Sequence, residues 1–162
     1  IDWKILSCGV VAYRKAREAS LVPYPHVTMT LTELLRRGLR LAVLSDAPRR
    51  EAWLRLCYLQ LEHFFDTVFT FEDTGFRKPH PTPFRKVLSM IDVAPEETIM
   101  VGDWPERDLV GAREVGMITV FARYGFVFGR KPVGSEGADW VIDDIRDLLE
   151  IIDTLNRKDA AT

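Results

Sequence analysis

Residues Thr98-Ile-Met-Val-Gly-Asp-Trp-Pro-Glu-Arg-Asp-Leu-Val-Gly-Ala-Arg-Glu-Val-Gly-Met-Ile-Thr-Val120 leave this chain few folds. The short apolar run Thr98 to Val101 predicts a buried strand. Gly102 lets the backbone turn and puts Asp103 at the strand's carboxyl end. Pro105 suits a first helical position, where a missing N–H costs nothing. Asp108 then falls in the first helical turn, on the side that looks back toward Asp103. Leu109, Ala112 and Val115 continue as a helical stripe, Gly116 stops it, and Ile118 to Phe121 opens the next strand. Open α/β sheets bind ligands at the carboxyl ends of their strands. Two hard carboxylates held there suit Mg²⁺. Acidic residues in a first helical turn also meet the helix dipole favourably with no further role. The stretch therefore has to be weighed with the rest of the chain.

The 162 residues suffice for one domain with a sizeable core. A net charge of -2 gives no broad electrostatic footprint for nucleic acid. Cys8 and Cys57 are too few and too far apart for a disulfide framework or a zinc site. Each reads as a small buried apolar residue, which suits a reducing compartment and a cytoplasmic location. No apolar run reaches membrane-spanning length, no signal peptide is visible, and no membrane partner is expected. The chain opens at Ile1 inside a helical pattern, which we read as a piece of something longer.

Ile5, Val10 or Val11, Ala12 and Ala16, with charged residues between them, predict one amphipathic helix. Tyr13, Arg14 and Arg17 read as its solvated face. Ser20 to Val27, stiffened by Pro23 and Pro25, is the expected hinge or boundary. Beyond it the pattern alternates. A helix ending at Gly38 leads to a strand over Leu41 to Leu44 and a helix over Pro48 to Tyr58. A strand over Thr67 to Phe71 and a helix over Pro83 to Ile91 precede the opening stretch. A strand over Ala138 to Ile142, a helix over Ile145 to Leu155 and a frayed tail from Asn156 follow it. Strands and helices alternating at this spacing predict a parallel sheet with helices on both faces.

Two further positions fall in register with Asp103. Ser45 ends a strand and precedes a helix opened by Ser45-Asp46-Ala47-Pro48, where a hydroxyl and free N–H groups make an anion site. A plain N-cap serine has the same local pattern. Lys78 lies in a segment stiffened by Pro79, Pro81 and Pro83, so a cation is presented from a fixed loop. A lone loop lysine is equally well solvated. The ordered set is what points to phosphate chemistry: strand-end Ser, loop Lys-Pro, then Gly-Asp with a later Asp.

With these motifs, from about Val22 to Leu149, the sequence resembles the haloacid dehalogenase-like hydrolase superfamily. Leu-Ala-Val-Leu-Ser-Asp-Ala resembles the second motif of that family, Gly-Phe-Arg-Lys-Pro-His-Pro the third, and Val-Gly-Asp-Trp-Pro-Glu-Arg-Asp the fourth. The resemblance implies a three-layer Rossmann-like α/β core over residues 22–155. Residues 1–21 would be the tail of a helical cap, and 156–162 a frayed tail. It implies that Ser45, with the Asp46 and Ala47 amides, binds the transferred phosphoryl group. Lys78 would balance charge on nucleophile and phosphate. Asp103 would ligate Mg²⁺, and Asp108 would complete or support that shell. Lys78 and Asp103 are thus the expected catalytic residues.

The sequence departs from the family at its first motif, an Asp-x-Asp on a hydrophobic strand that supplies the nucleophile and the general acid–base. Nothing before Ser45 fits, since Asp2 follows no strand and has no second Asp two residues on. In the family that strand lies between those ending here at Ser45 and Asp103. The expectation is therefore a Mg²⁺-dependent phosphatase of a small phosphorylated metabolite, its nucleophile outside this chain, with an N-terminal segment or second chain completing the sheet. A sugar-phosphate mutase and a non-catalytic degenerate domain are the alternatives. Paired Asp103 and Asp108 argue against a dehalogenase, which needs no Mg²⁺.

Overall fold

The computed structural model describes residues 1–127, 132 and 134–159. It is a mixed α/β structure of parallel strands layered with helices. In chain order the regular elements are α1 (Trp3–Ala19), α2 (Val27–Arg36), β1 (Ala42–Leu44), α3 (Arg49–Leu59), β2 (Thr67–Phe69), α4 (Phe71–Thr74) and α5 (Pro81–Ile91). They are followed by β3 (Ile99–Gly102), α6 (Pro105–Glu114), β4 (Ile118–Ala122), β5 (Trp140–Ile142) and α7 (Asp147–Asp159).

Strand pairing is parallel throughout, in two groups. β1 pairs with β2 in the register Val43 to Val68. β3 pairs with β4 (Val101 to Val120), and β4 with β5 (Phe121 to Val141). Among the described residues no ladder joins β1 to β3. The helices nevertheless bridge the two groups. Leu44 of β1 and Met100 of β3 both pack on the cluster of Phe84, Leu88, Ala112 and Met117 supplied by α5, α6 and the turn into β4. The neighbours of Met100, Ile99 and Val101, pack on the opposite cluster, where Leu34 of α2 meets Leu148, Ile151 and Ile152 of α7. This alternation is the two-residue period of a strand covered on both faces.

Element boundaries moved where local side chains override the apolar pattern. The strand expected to reach Phe71 stops at Phe69, because Thr70 and Asp73 form a reciprocal capping box that starts α4. The helix expected from Pro83 begins at Pro81, where the His80 ring nitrogen accepts the Thr82 N–H. The tail expected to fray from Asn156 stays helical to Asp159, and 160–162 lie outside the described residues. Cys8 and Cys57 were expected to be buried and are both exposed free thiols. α1 buries none of its residues. It touches α3 through the Arg17–Glu51 ion pair at 3.1 Å. After it, Tyr24 in the proline-bracketed connector meets Tyr124 edge to face, with ring centroids 5.0 Å apart.

Candidate active site

Ser45, Asp46, Ala47, Lys78, Asp103 and Asp108 line one open cleft of about 330 Å³. Parallel pairing brings them together, since every strand delivers its carboxyl end to the same edge. Ser45 follows β1, and its N–H still bonds the Phe69 carbonyl, extending the ladder by one residue. Its hydroxyl oxygen accepts the Ala47 N–H at 3.2 Å. Ser45 is not the N-cap of α3, a position held by Pro48, so its hydroxyl oxygen accepts no N–H of that helix.

Lys78 is fixed from two sides. Its N–H donates to Asp46 Oδ1 at 3.0 Å, and its Nζ donates to the Leu44 carbonyl at 3.0 Å. Nζ also pairs with Asp108 Oδ1 at 2.6 Å, with the two side chains only 13% and 7% exposed. An ammonium has three donors, so one N–H remains for a ligand.

Asp108 has both oxygens engaged, because Oδ2 accepts the Trp104 N–H at 3.1 Å. Gly102 permits this approach: a Cβ there would overlap Asp108 Cβ. Asp103 is different. Among the described residues its carboxylate takes a hydrogen bond only from its own backbone N–H. Burial pushes its carboxyl above the usual range, and the Asp108 charge adds to this. Its own backbone N–H and Lys78 pull in the other direction. A half-buried carboxylate short of positive neighbours is the group here best suited to a cation.

No cluster of three or more His, Cys, Asp or Glu suited to a metal occurs among the described residues. That donor set still fits Mg²⁺, which keeps several waters and commonly uses one or two carboxylates plus substrate oxygens. In this structure Asp103 offers the free oxygens, while Asp108 is bound to Lys78 and Trp104.

The cleft also holds four residues that the sequence reading passed over: Arg55, Arg77, Trp104 and Arg107. Arg107 pairs with Asp46 Oδ2 and lies over the Trp104 ring, 4.5 Å from its centroid. Asp46 thereby bonds both Arg107 on α6 and the Lys78 N–H, tying three segments around the cleft. Arg107 sits between Pro105 and Asp108, and that position in the first helical turn was the available signal. Arg55 and Arg77 carried none, because an arginine on a helix or loop ordinarily faces solvent.

The model of the haloacid dehalogenase-like hydrolase family matches residues 6–122. A glyceraldehyde 3-phosphate phosphatase of Methanocaldococcus jannaschii is 36% identical over 156 residues, which is 96% of this chain and 68% of that protein. The pyrophosphatase PpaX of Bacillus mycoides is 35% identical over 82% of this chain and 61% of its own length. Among solved structures, a HAD phosphatase from Thermococcus onnurineus superposes with a TM-score of 0.71 at 31% identity, covering 80% of this chain and 57% of that one. The chain thus spans roughly three fifths to two thirds of the relatives it matches.

Proposed function

The chain belongs to the haloacid dehalogenase-like hydrolases, and we propose that it forms the core of a Mg²⁺-dependent phosphatase acting on a small phosphorylated metabolite. The observation carrying this reading is the meeting of Ser45, Lys78, Asp103 and Asp108 in one cleft. Relatives named for glyceraldehyde 3-phosphate and for pyrophosphate favour a small, highly charged substrate.

In this reading the Ser45 hydroxyl and the Asp46 and Ala47 amides hold the phosphoryl oxygens, the Ala47 N–H exchanging its bond to Ser45 Oγ for one to the ligand. The free N–H of Lys78 neutralises one of them. Asp103, supported by Asp108, holds Mg²⁺, which when bound supplies further charge neutralisation at the phosphoryl group. Asp108 also keeps the Lys78 ammonium in place. Fixed donors of this kind stabilise the charge that develops as phosphorus is attacked.

The attacking group is a carboxylate that these residues do not provide. Asp46 and Asp108 are committed to Arg107 and Lys78, and Asp103 to the metal. A carboxylate oxygen would bond to phosphorus while the ester P–O bond breaks, and water would then release phosphate from the aspartyl-phosphate. We place that carboxylate on a strand entering between β1 and β3. Among the described residues those two edges share no ladder with each other, although α5 packs across both. An N-terminal segment is the favoured source, and a second chain the other. Residues 1–21 then serve as part of a cap over the site.

The test is hydrolysis of p-nitrophenyl phosphate by the 162-residue chain, with native mass spectrometry of the same sample. Negligible turnover by a monomer is expected. Robust turnover abolished by Asp103→Asn would place the nucleophile within this chain and refute the strand.

A further inference from the structure

The pairing of charges in the cleft leaves two of its cations without a carboxylate of their own. Its cations are Arg55, Arg77, Lys78 and Arg107, and its carboxylates are Asp46, Asp103 and Asp108. Lys78 is paired with Asp108, and Arg107 with Asp46. Arg55 and Arg77 have no carboxylate partner among the described residues. Both are exposed. Arg77 is held over the Phe71 ring, 4.8 Å from its centroid, on the segment that carries Lys78. Arg55 reaches the same cleft from α3. Two unpaired guanidiniums therefore remain beside the phosphoryl position. A guanidinium matches a carboxylate or phosphate as a planar, two-pronged donor.

We propose that Arg55 and Arg77 form a second anion subsite, so that the substrate carries another anionic group next to its scissile phosphate. This rests on the phosphatase reading above and narrows it. The shared chemistry is a second anion a few bonds from phosphorus, either a carboxylate or another phosphoryl group. A monophosphate with no other anionic group offers these arginines only the phosphoryl oxygens that Ser45 and Lys78 already hold.

Three non-hydrolysable probes separate these possibilities by calorimetric titration of the chain without Mg²⁺. Methylphosphonate tests the phosphoryl position alone. Phosphonoacetate adds a carboxylate, and methylenediphosphonate a second phosphoryl group. At least one of the two-anion probes should bind about tenfold or more tightly than methylphosphonate, and whichever is favoured identifies the second group. In Arg55→Gln/Arg77→Gln that ratio should fall below about threefold. Arg50→Gln, which removes an equal charge outside the cleft, should keep it. A ratio near one in the unaltered chain overturns the subsite, as does a preference that survives the double substitution. A preference lost equally in Arg50→Gln shows general charge attraction and also overturns it. Failure of all three probes to bind without Mg²⁺ overturns this inference alone, and failure of methylphosphonate to bind with Mg²⁺ present as well withdraws the phosphatase reading with it.

Discussion

Replacing Lys78 with Met should destabilise the protein severely, for a reason visible in the cleft. Lys78 Nζ is 2.6 Å from Asp108 Oδ1, and the two side chains are 13% and 7% exposed. Water screens such a pair little. Removing one member of a buried pair leaves an uncompensated charge and costs about 3–5 kcal/mol. The Leu44 carbonyl loses its Nζ donor in the same step. Against a typical domain stability of about 5–15 kcal/mol this is a large fraction. The assay is urea unfolding at neutral pH with chelator present. With m about 1–3 kcal/mol/M, the midpoint should fall by roughly 1–5 M at unchanged m. Lys78→Met/Asp108→Asn should then be more stable than Lys78→Met alone. Asn carries no charge, and its carbonyl oxygen can still accept the Trp104 N–H. A loss below about 1 kcal/mol in the single variant, or a double variant no more stable than it, would refute the claim that this pair is buried and coupled.

Gly111→Ala should cost about 1–3 kcal/mol by urea unfolding, because the new Cβ would overlap the Phe84 ring and lie 2.5 Å from the Pro79 carbonyl oxygen. Burial first, then Asp144, pushes the Tyr124 phenol up to about 12, so absorbance titration should show a late component that Tyr124→Phe removes. The unfolded chain loses this proton near the ordinary value of 10.0, before the folded one does. Stability from Tyr124 is therefore complete below that pH and lost as pH rises toward about 12, and Tyr124→Phe should flatten that decline. Ellman's reagent should titrate both Cys8 and Cys57 in the native protein, with no denaturant.

The parts of the fold readable from sequence were those written in local signals. Gly102, Pro105 and Gly116 punctuate β3, α6 and the turn into β4, so that unit could be traced residue by residue. Ser45 and Lys78 were readable because each sits beside a strand end or a proline that fixes the backbone. The misjudged boundaries at Phe71 and Pro81 came from side-chain caps, Thr70 with Asp73 and the His80 ring, that outweigh apolar periodicity. Cys57 was misplaced because a cysteine's apolar character does not say which side of a helix it takes, and Cys8 because α1 buries none of its residues. Arg55, Arg77 and Arg107 could not be assigned for a related reason. Arg107 meets its partner Asp46 across 61 residues of sequence, and Arg55 and Arg77 reach the cleft only once α3 and the loop before α5 are folded around it.

The central claim is that this cleft binds phosphate through a metal held by Asp103. Equilibrium dialysis of labelled orthophosphate, with and without Mg²⁺, tests it most directly on the unaltered chain and on Asp103→Asn. Mg²⁺ should tighten phosphate binding at least about tenfold in the unaltered chain and have no effect on Asp103→Asn. Equal binding with and without Mg²⁺, or the same Mg²⁺ response in both proteins, would contradict it.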